Sequence, residues 1–223
     1  MRIWGSEDGL DWQVVWTFAP GQVRHTHSIV ADPYRRGLWV LTGDEGREAG
    51  VWWTDDGFRH LEPVRRGDQS ARAVGALPTE SGLILPMDAP EEACFIQHMD
   101  PSTGAVERLA RIRGSAFDAA RSGGLFLVAT AVEPSSYHTD ERAALYASRD
   151  GVAWMPVARF ERDLDWLPRL RDRLGYPTLH LPAGDSELPY VVATARALNG
   201  LDGQMLIAPE TELVELLPAA RAA

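Results

Sequence analysis

His25 and His27 stand two residues apart in Arg24-His25-Thr26-His27, so on an extended strand their imidazoles project from one side. A second polar group, Thr42-Gly43-Asp44-Glu45-Gly46, closes the next strand-like run. Two imidazoles beside a carboxylate have three readings: general acid–base chemistry, a metal held by the three side chains, or histidines hydrogen-bonded to carboxylates and water. No part of the chain has the spacing of a strong metal site, so neither a metal nor a cofactor is assigned. Asp44, Asp88, Asp118 and Glu133 are further acids at strand ends or in loops. Two such carboxyls can serve a glycosidase as acid and base or nucleophile, while a ring of solvated loop acids is the alternative. The candidate catalytic groups are therefore His25, His27, Asp44, Asp118 and Glu133.

Composition narrows the chemistry. All 22 basic residues are arginine, which removes Schiff-base and lysine-base mechanisms. The 223-residue chain carries a formal charge of −10 and no basic block, so it has no electrostatic footprint for nucleic acid or an anionic membrane. No apolar run approaches the roughly 18 residues of a membrane span. Met1-Arg2-Ile3-Trp4 leads into a strand and a turn without the apolar core of a secretory signal. The sequence as written is expected to be cytoplasmic; a reading frame truncated at its N-terminus would make it secreted. The single Cys94 cannot form an internal disulfide.

The elements that must position these groups are marked by a recurring turn. Ser6-Glu7-Asp8-Gly9-Leu10-Asp11-Trp12, Thr54-Asp55-Asp56-Gly57-Phe58-Arg59-His60 and Ser148-Arg149-Asp150-Gly151-Val152-Ala153-Trp154 share Ser/Thr-x-Asp-Gly-x-x-Trp, with His60 replacing the aromatic. Each lies between two strand-like runs. Gly suits the positive φ of a tight hairpin, and the Asp and Ser/Thr side chains bond backbone groups left free in the turn. Asp100-Pro101-Ser102-Thr103-Gly104 and Ala208-Pro209-Glu210 stand where further copies would fall.

This pattern resembles the Asp box of the sialidase-like (BNR-repeat) β-propellers. The resemblance implies an all-β Asp-box β-propeller with a repeat of about 45 residues, the size of a four-stranded blade. Residues 1–20 form a half blade, residues 25–66, 69–112, 115–160 and 177–218 form four full blades, and 1–223 is a single domain. Residues 161–176 read as a helical insertion, because Leu164, Leu167, Leu170 and Leu174 recur at helical spacing and Gly175 ends the run. An incomplete first blade implies a reading frame truncated at its N-terminus, closure with the C-terminal strands, or closure through a second chain.

Propeller topology turns chain position into geometry. The start of each blade's first strand and the loop after its second share one face, and the Asp boxes occupy the other. Ser6, Asp8, Gly9, Trp12, Thr54, Asp56, Gly57, Ser148, Asp150, Gly151 and Trp154 are then structural. The ligand-binding candidates on the first face are Arg24, His27, Asp44, Glu45, Arg72, Asp88, His180 and Arg196, with Tyr137 and Tyr176 as rim tyrosines. Sialidases carry a Phe/Tyr-Arg-x-Pro segment and an arginine triad. That segment is absent here, so sialidase activity is not expected. The expected function is binding of a polar small molecule, a glycan, at the channel mouth. The alternatives are a glycoside hydrolase and a protein-interaction scaffold. A carbohydrate site should place an aromatic platform beside the carboxylates and arginines, whereas a scaffold should expose an apolar patch.

Overall fold

The computed structural model describes residues 1–138, 140–163 and 176–218. They fold as an all-β chain of several antiparallel sheets taken in sequence order. β1 (Arg2–Gly5) and β2 (Gln13–Thr17) make a two-stranded hairpin. β3 (Thr26–Asp32), β4 (Gly37–Thr42), β5 (Gly50–Thr54) and β6 (Glu62–Arg66) form the next sheet as a meander. A short 3-10 turn at Gln69–Ala71 leads to β7 (Leu77–Thr79), β8 (Gly82–Pro86), β9 (Phe95–Met99) and β10 (Val106–Arg111). β11 (Ala116–Ser122), β12 (Leu125–Thr130), β13 (Arg142–Ser148) and β14 (Met155–Glu161) repeat the pattern. The last sheet contains β15 (Thr178–His180), β17 (Tyr190–Arg196) and β18 (Met205–Pro209), while the intervening β16 (Asp185–Ser186) pairs in parallel with β11.

Each sheet packs against the next through alternate side chains of its second and third strands. Trp39, Leu41 and Val51 meet Leu83, Leu85 and Met99 of the following sheet. The other face of the same two strands sends Val40 and Trp52 to Ile3 and Phe18. Ile84 and Ile96 then meet Phe126, Val128 and Tyr146, and Leu125, Leu127 and Leu145 meet Leu179, Val191 and Ala193. A strand covered on both faces needs apolar residues at every position, which is why β4, β8 and β12 read as unbroken apolar runs. The terminal sheets differ. Trp4 and Val14 on β1 and β2, and Met205 and Ile207 on β18, are exposed.

The three repeated turns work as their residue types require. Asp150 Oδ1 accepts hydrogen bonds from the Ser148 hydroxyl at 3.0 Å and from the amides of Val152 and Ala153 at 2.9 and 2.8 Å. Ser148 Oγ accepts from the Gly151 amide, and the Trp154 indole donates to the Gly151 carbonyl, both at 2.9 Å. Gly9, Gly57 and Gly151 hold φ at 77°, 72° and 73°. His60 replaces the indole contact by bonding Asp56 directly at 2.6 Å, and its backbone and ring together draw the Asp56 carboxyl down to about 2. Asp100 makes the same kind of cap without the motif, accepting from the Ser102 and Thr103 amides at 2.7 and 3.0 Å. Strand register puts these turns at one end of each sheet. Thr54 pairs with Leu38, and Ser148 with Phe126, so both turns lie beside the hairpin joining the first two strands. The Thr42 and Thr130 ends of β4 and β12, which lead to Asp44 and Glu133, point the other way.

One expectation fails at the C-terminal end. Residues 177–218 do not supply four strands to one sheet: the segment after β18 is a helix, α1 (Glu210–Glu215). Pro209 precedes it, Glu210 and Glu212 occupy its first turn, and Leu213 and Leu217 are spaced to bury one helical face in the core beneath β17 and β18. Glu210 also accepts a 2.9 Å bond from the Gly124 amide, tying α1 to the β11–β12 hairpin. The helix expected around Asp163 to Gly175 falls on residues 164–175, outside the described residues.

Removing the Asp150 carboxylate leaves two turn amides and a hydroxyl without their acceptor. Asp150→Ala is expected to lower stability by roughly 1–3 kcal/mol, read from urea denaturation, with ligand binding unchanged. Loss of binding at unaltered stability would contradict the placement of these turns away from the site.

Candidate functional site

Asp44, Asp88 and Glu133 each come two or three residues after the second strand of a sheet, at Thr42, Pro86 and Thr130. Arg72 lies just past the 3-10 turn, Asp118 near the start of β11, and His180 at the end of β15. The fold brings these six residues, drawn from four successive sheets and their connections, around one solvent-open cavity of about 630 Å³. Val74, Pro90, Phe117, Pro134 and Tyr176 complete its wall.

Arg72 stands at the centre. Its Nε donates to Asp88 Oδ2 at 3.1 Å, its Nη1 to the Asp44 carbonyl at 3.1 Å, and its Nη2 lies 3.3 Å from Asp44 Oδ1. The Asp44 carbonyl also accepts from Gln69 Nε2 at 3.1 Å. Asp44 follows Gly43, whose φ is +73° and where an added Cβ would lie 2.3 Å from the Glu48 backbone. Only glycine fits that approach, so the loop that presents Asp44 has one shape.

His27 is nearly buried. Its Nδ1 lies 2.8 Å from the Ala73 carbonyl and its Nε2 lies 3.1 Å from Asp44 Oδ1. His25 is more exposed and holds Nε2 3.5 Å from Asp44 Oδ2, its ring centroid 4.7 Å from that of His27. The two imidazoles therefore share one carboxylate. On the far wall, His180 Nδ1 meets Asp118 Oδ2 at 3.0 Å. Burial lifts the Asp118 carboxyl above the ordinary aspartate range, and His180 opposes that lift.

Glu133 accepts a hydrogen bond from the Ser115 hydroxyl. Burial raises its carboxyl, the Ser115 bond opposes this, and the charge of Asp88 adds to the rise. Phe117 and Tyr176 meet edge to face, their centroids 5.9 Å apart. Cys94 takes no part as a nucleophile. Burial pushes its thiol up to about 12, and Sγ donates to the Ala89 carbonyl at 3.3 Å.

Four expected ligand residues, Arg24, His27, Glu45 and Arg196, stand apart from the cavity lining, His27 behind Asp44. Arg24 is committed to Glu45 and Glu48, at 2.9 Å each, on the exposed side of the Asp44 loop. Glu45 goes with it. Arg196 ends β17 paired with Thr178 and is exposed. Tyr137 is exposed next to Ser135, whose hydroxyl caps the Tyr137 amide. Sequence reasoning missed Ser115, Phe117, Gln69 and the Ala73 carbonyl. Phe117 carried one usable signal, an aromatic beside Asp118 at the start of an inner strand, whereas a backbone carbonyl leaves no trace in residue type.

Searches of the sequence against protein-family models and against curated proteins return no match, so the reading of this cavity rests on its own geometry.

The raised Glu133 carboxyl makes stability depend on pH with a definite sign. A folded-state pKa above the unfolded one means the folded chain holds the proton more tightly. Ionising Glu133 therefore costs stability as pH climbs above the ordinary glutamate range, about 4.3, and the cost is complete above the raised value. Glu133→Gln keeps an acceptor for Ser115 and removes the charge. It is expected to raise the melting temperature at about pH 8 and to leave it unchanged near pH 3.5. An equal or lower melting temperature at pH 8 would contradict the assignment.

Proposed function

We propose that the chain is an Asp-box β-propeller of the sialidase-like type that binds a neutral, hydroxyl-rich ligand, a glycan, at the mouth of its central channel. Support for the propeller comes from the sequence-ordered meander sheets, each packed face to face on the next, and from the turn motif at one end of them. The observation that carries the ligand class is the wall of the cavity. An aromatic pair, Phe117 and Tyr176, stands beside the carboxylates of Asp44, Asp88, Asp118 and Glu133. Sugars present apolar C–H faces that stack on aromatic rings and hydroxyls that donate to carboxylates.

Anionic sugars fit poorly. Arg72 spends its guanidinium on Asp44 and Asp88, and Arg24 spends its own on Glu45 and Glu48. Among the described residues, no arginine in the cavity wall is left to clamp a ligand carboxylate, which argues against a sialidase reaction. A hydrolase of neutral glycosides is the second reading, favoured by two carboxyls on one cavity wall, Glu133 and Asp118, that burial shifts upward, the direction a general acid requires. Self-association through the terminal sheets is a separate proposal, supported by the exposed Trp4, Val14, Met205 and Ile207.

A panel of neutral and acidic oligosaccharides, with hydrolysis followed in parallel, tests the assignment. Neutral glycans are expected to bind, with affinity falling about 10-fold or more in Phe117→Ala and Tyr176→Ala, the scale of losing a stacking contact. Affinity without turnover supports a binding module, and turnover lost in Glu133→Gln supports the hydrolase. Preference for acidic glycans, or binding indifferent to both aromatic substitutions, contradicts the proposal. Sedimentation velocity on the same samples reads the terminal sheets: a dimer dispersed by Ile207→Asp supports self-association, and a monomer at every concentration removes it.

A further inference from the structure

Among the described residues, His25, His27 and Asp44 bring one donor atom each to within 4.8 Å of one another. We propose that these three side chains form a mononuclear site for a divalent transition metal of the zinc class, at the edge of the cavity that Asp44 lines.

The hydrogen bonding of His27 is the first argument. Its Nδ1 faces the Ala73 carbonyl at 2.8 Å, and a carbonyl only accepts, so Nδ1 carries the hydrogen. In the neutral ring Nε2 is then a lone pair, and it points at a carboxylate oxygen 3.1 Å away. Acceptor against acceptor at that distance requires a cation between them, either a proton or a metal ion. The ring cannot turn away, because the His27 side chain is only 8% exposed. An Nδ1–H bonded to a backbone carbonyl is also the arrangement that orients an imidazole for coordination through Nε2.

Distance is the second argument. Tetrahedral ligands at about 2.0–2.1 Å from zinc lie about 3.3 Å from each other. The separations of 3.1 Å, His27 Nε2 to Oδ1, and 3.5 Å, His25 Nε2 to Oδ2, are close to that edge, each to a different oxygen of the one carboxylate. A proton bridging His27 and Asp44 explains the first separation and gives no reason for the convergence of His25 on the other oxygen.

Preorganisation is the third. Gly43 sets the loop, while Gln69 and Arg72 both hold the Asp44 carbonyl. Arg72 opposes a second cation, yet its charge is shared with Asp88, and its Nη2 lies 3.3 Å from Oδ1 of Asp44. Oδ2 remains on the His25 side. Two imidazoles and one carboxylate suit zinc and its neighbours, not the all-oxygen shells of calcium or magnesium. Three protein ligands leave at least one position for water or for an oxygen of the cavity's occupant. Sequence spacing alone assigned no metal. A His-x-His pair becomes a site only through the Asp44 loop, 17 residues on.

The test is a titration of chelator-stripped protein with Zn²⁺ by calorimetry and with Co²⁺ by visible absorption, without any glycan. One metal per chain is expected, with the d–d bands of four- or five-coordinate Co²⁺. Affinity should fall about 100-fold or more in His25→Ala, whose exposed ring is dispensable for folding, and likewise in His27→Ala and Asp44→Asn. His60→Ala, which disrupts a separate exposed His–Asp contact away from the cavity, should leave it unchanged. Calcium and magnesium should not compete. Absence of Co²⁺ bands, or Zn²⁺ binding that survives His25→Ala/His27→Ala, overturns the site. Because no sugar enters the experiment, its failure leaves the glycan assignment standing, and the reverse also holds.

Discussion

Arg72 lies between carboxylates that follow the second strands of two different sheets, Asp44 after β4 and Asp88 after β8. Its side chain is 13% exposed and that of Asp88 only 5%. A charge removed from water this far is tolerable only when it is paired and hydrogen-bonded. Here the guanidinium satisfies one loop through the Asp44 carbonyl and carboxylate and the next through Asp88. The same segment positions the Ala73 carbonyl that fixes the ring of His27. Loop shape, imidazole tautomer and the acidic wall of the cavity therefore depend on one buried cation.

That dependence constrains what the cavity accepts. With Arg72 committed inward, the groups facing solvent are mainly carboxylates and two His–Asp contacts. Among the described lining residues an anionic ligand would meet acids and the already paired Arg72, whereas hydroxyls or a metal ion would meet acceptors already held in place. Burial raises the carboxyls of Glu133 and Asp118, opposed by the Ser115 hydroxyl at the first and by His180 at the second.

Much of this arrangement was legible in the residues. The acids after the second strands of three sheets, Asp44, Asp88 and Glu133, were placed by chain position alone. Arg72, Asp118 and His180 followed from the same rule and line the same cavity. Arg24, Glu45 and Arg196 did not, because a rule based on strand ends fixes the rim but not the direction in which a long side chain turns. Phe117 and Tyr176 lie far apart in sequence, and only tertiary packing joins them. The helix α1 replaced an expected strand although Pro209, the acids of its first turn and the four-residue spacing of Leu213 and Leu217 were all visible.

The central claim, that the Arg72 ion pairs hold the site, is tested most directly by equilibrium urea unfolding of Arg72→Met, Asp88→Asn and the double variant. Breaking a buried pair on one side leaves an uncompensated charge, so Arg72→Met should cost about 3–5 kcal/mol. The double variant leaves no unpaired charge at Asp88 and should be more stable than the sum of the two single losses predicts. Additive losses, or an Arg72→Met chain within about 0.5 kcal/mol of the parent, would contradict the account.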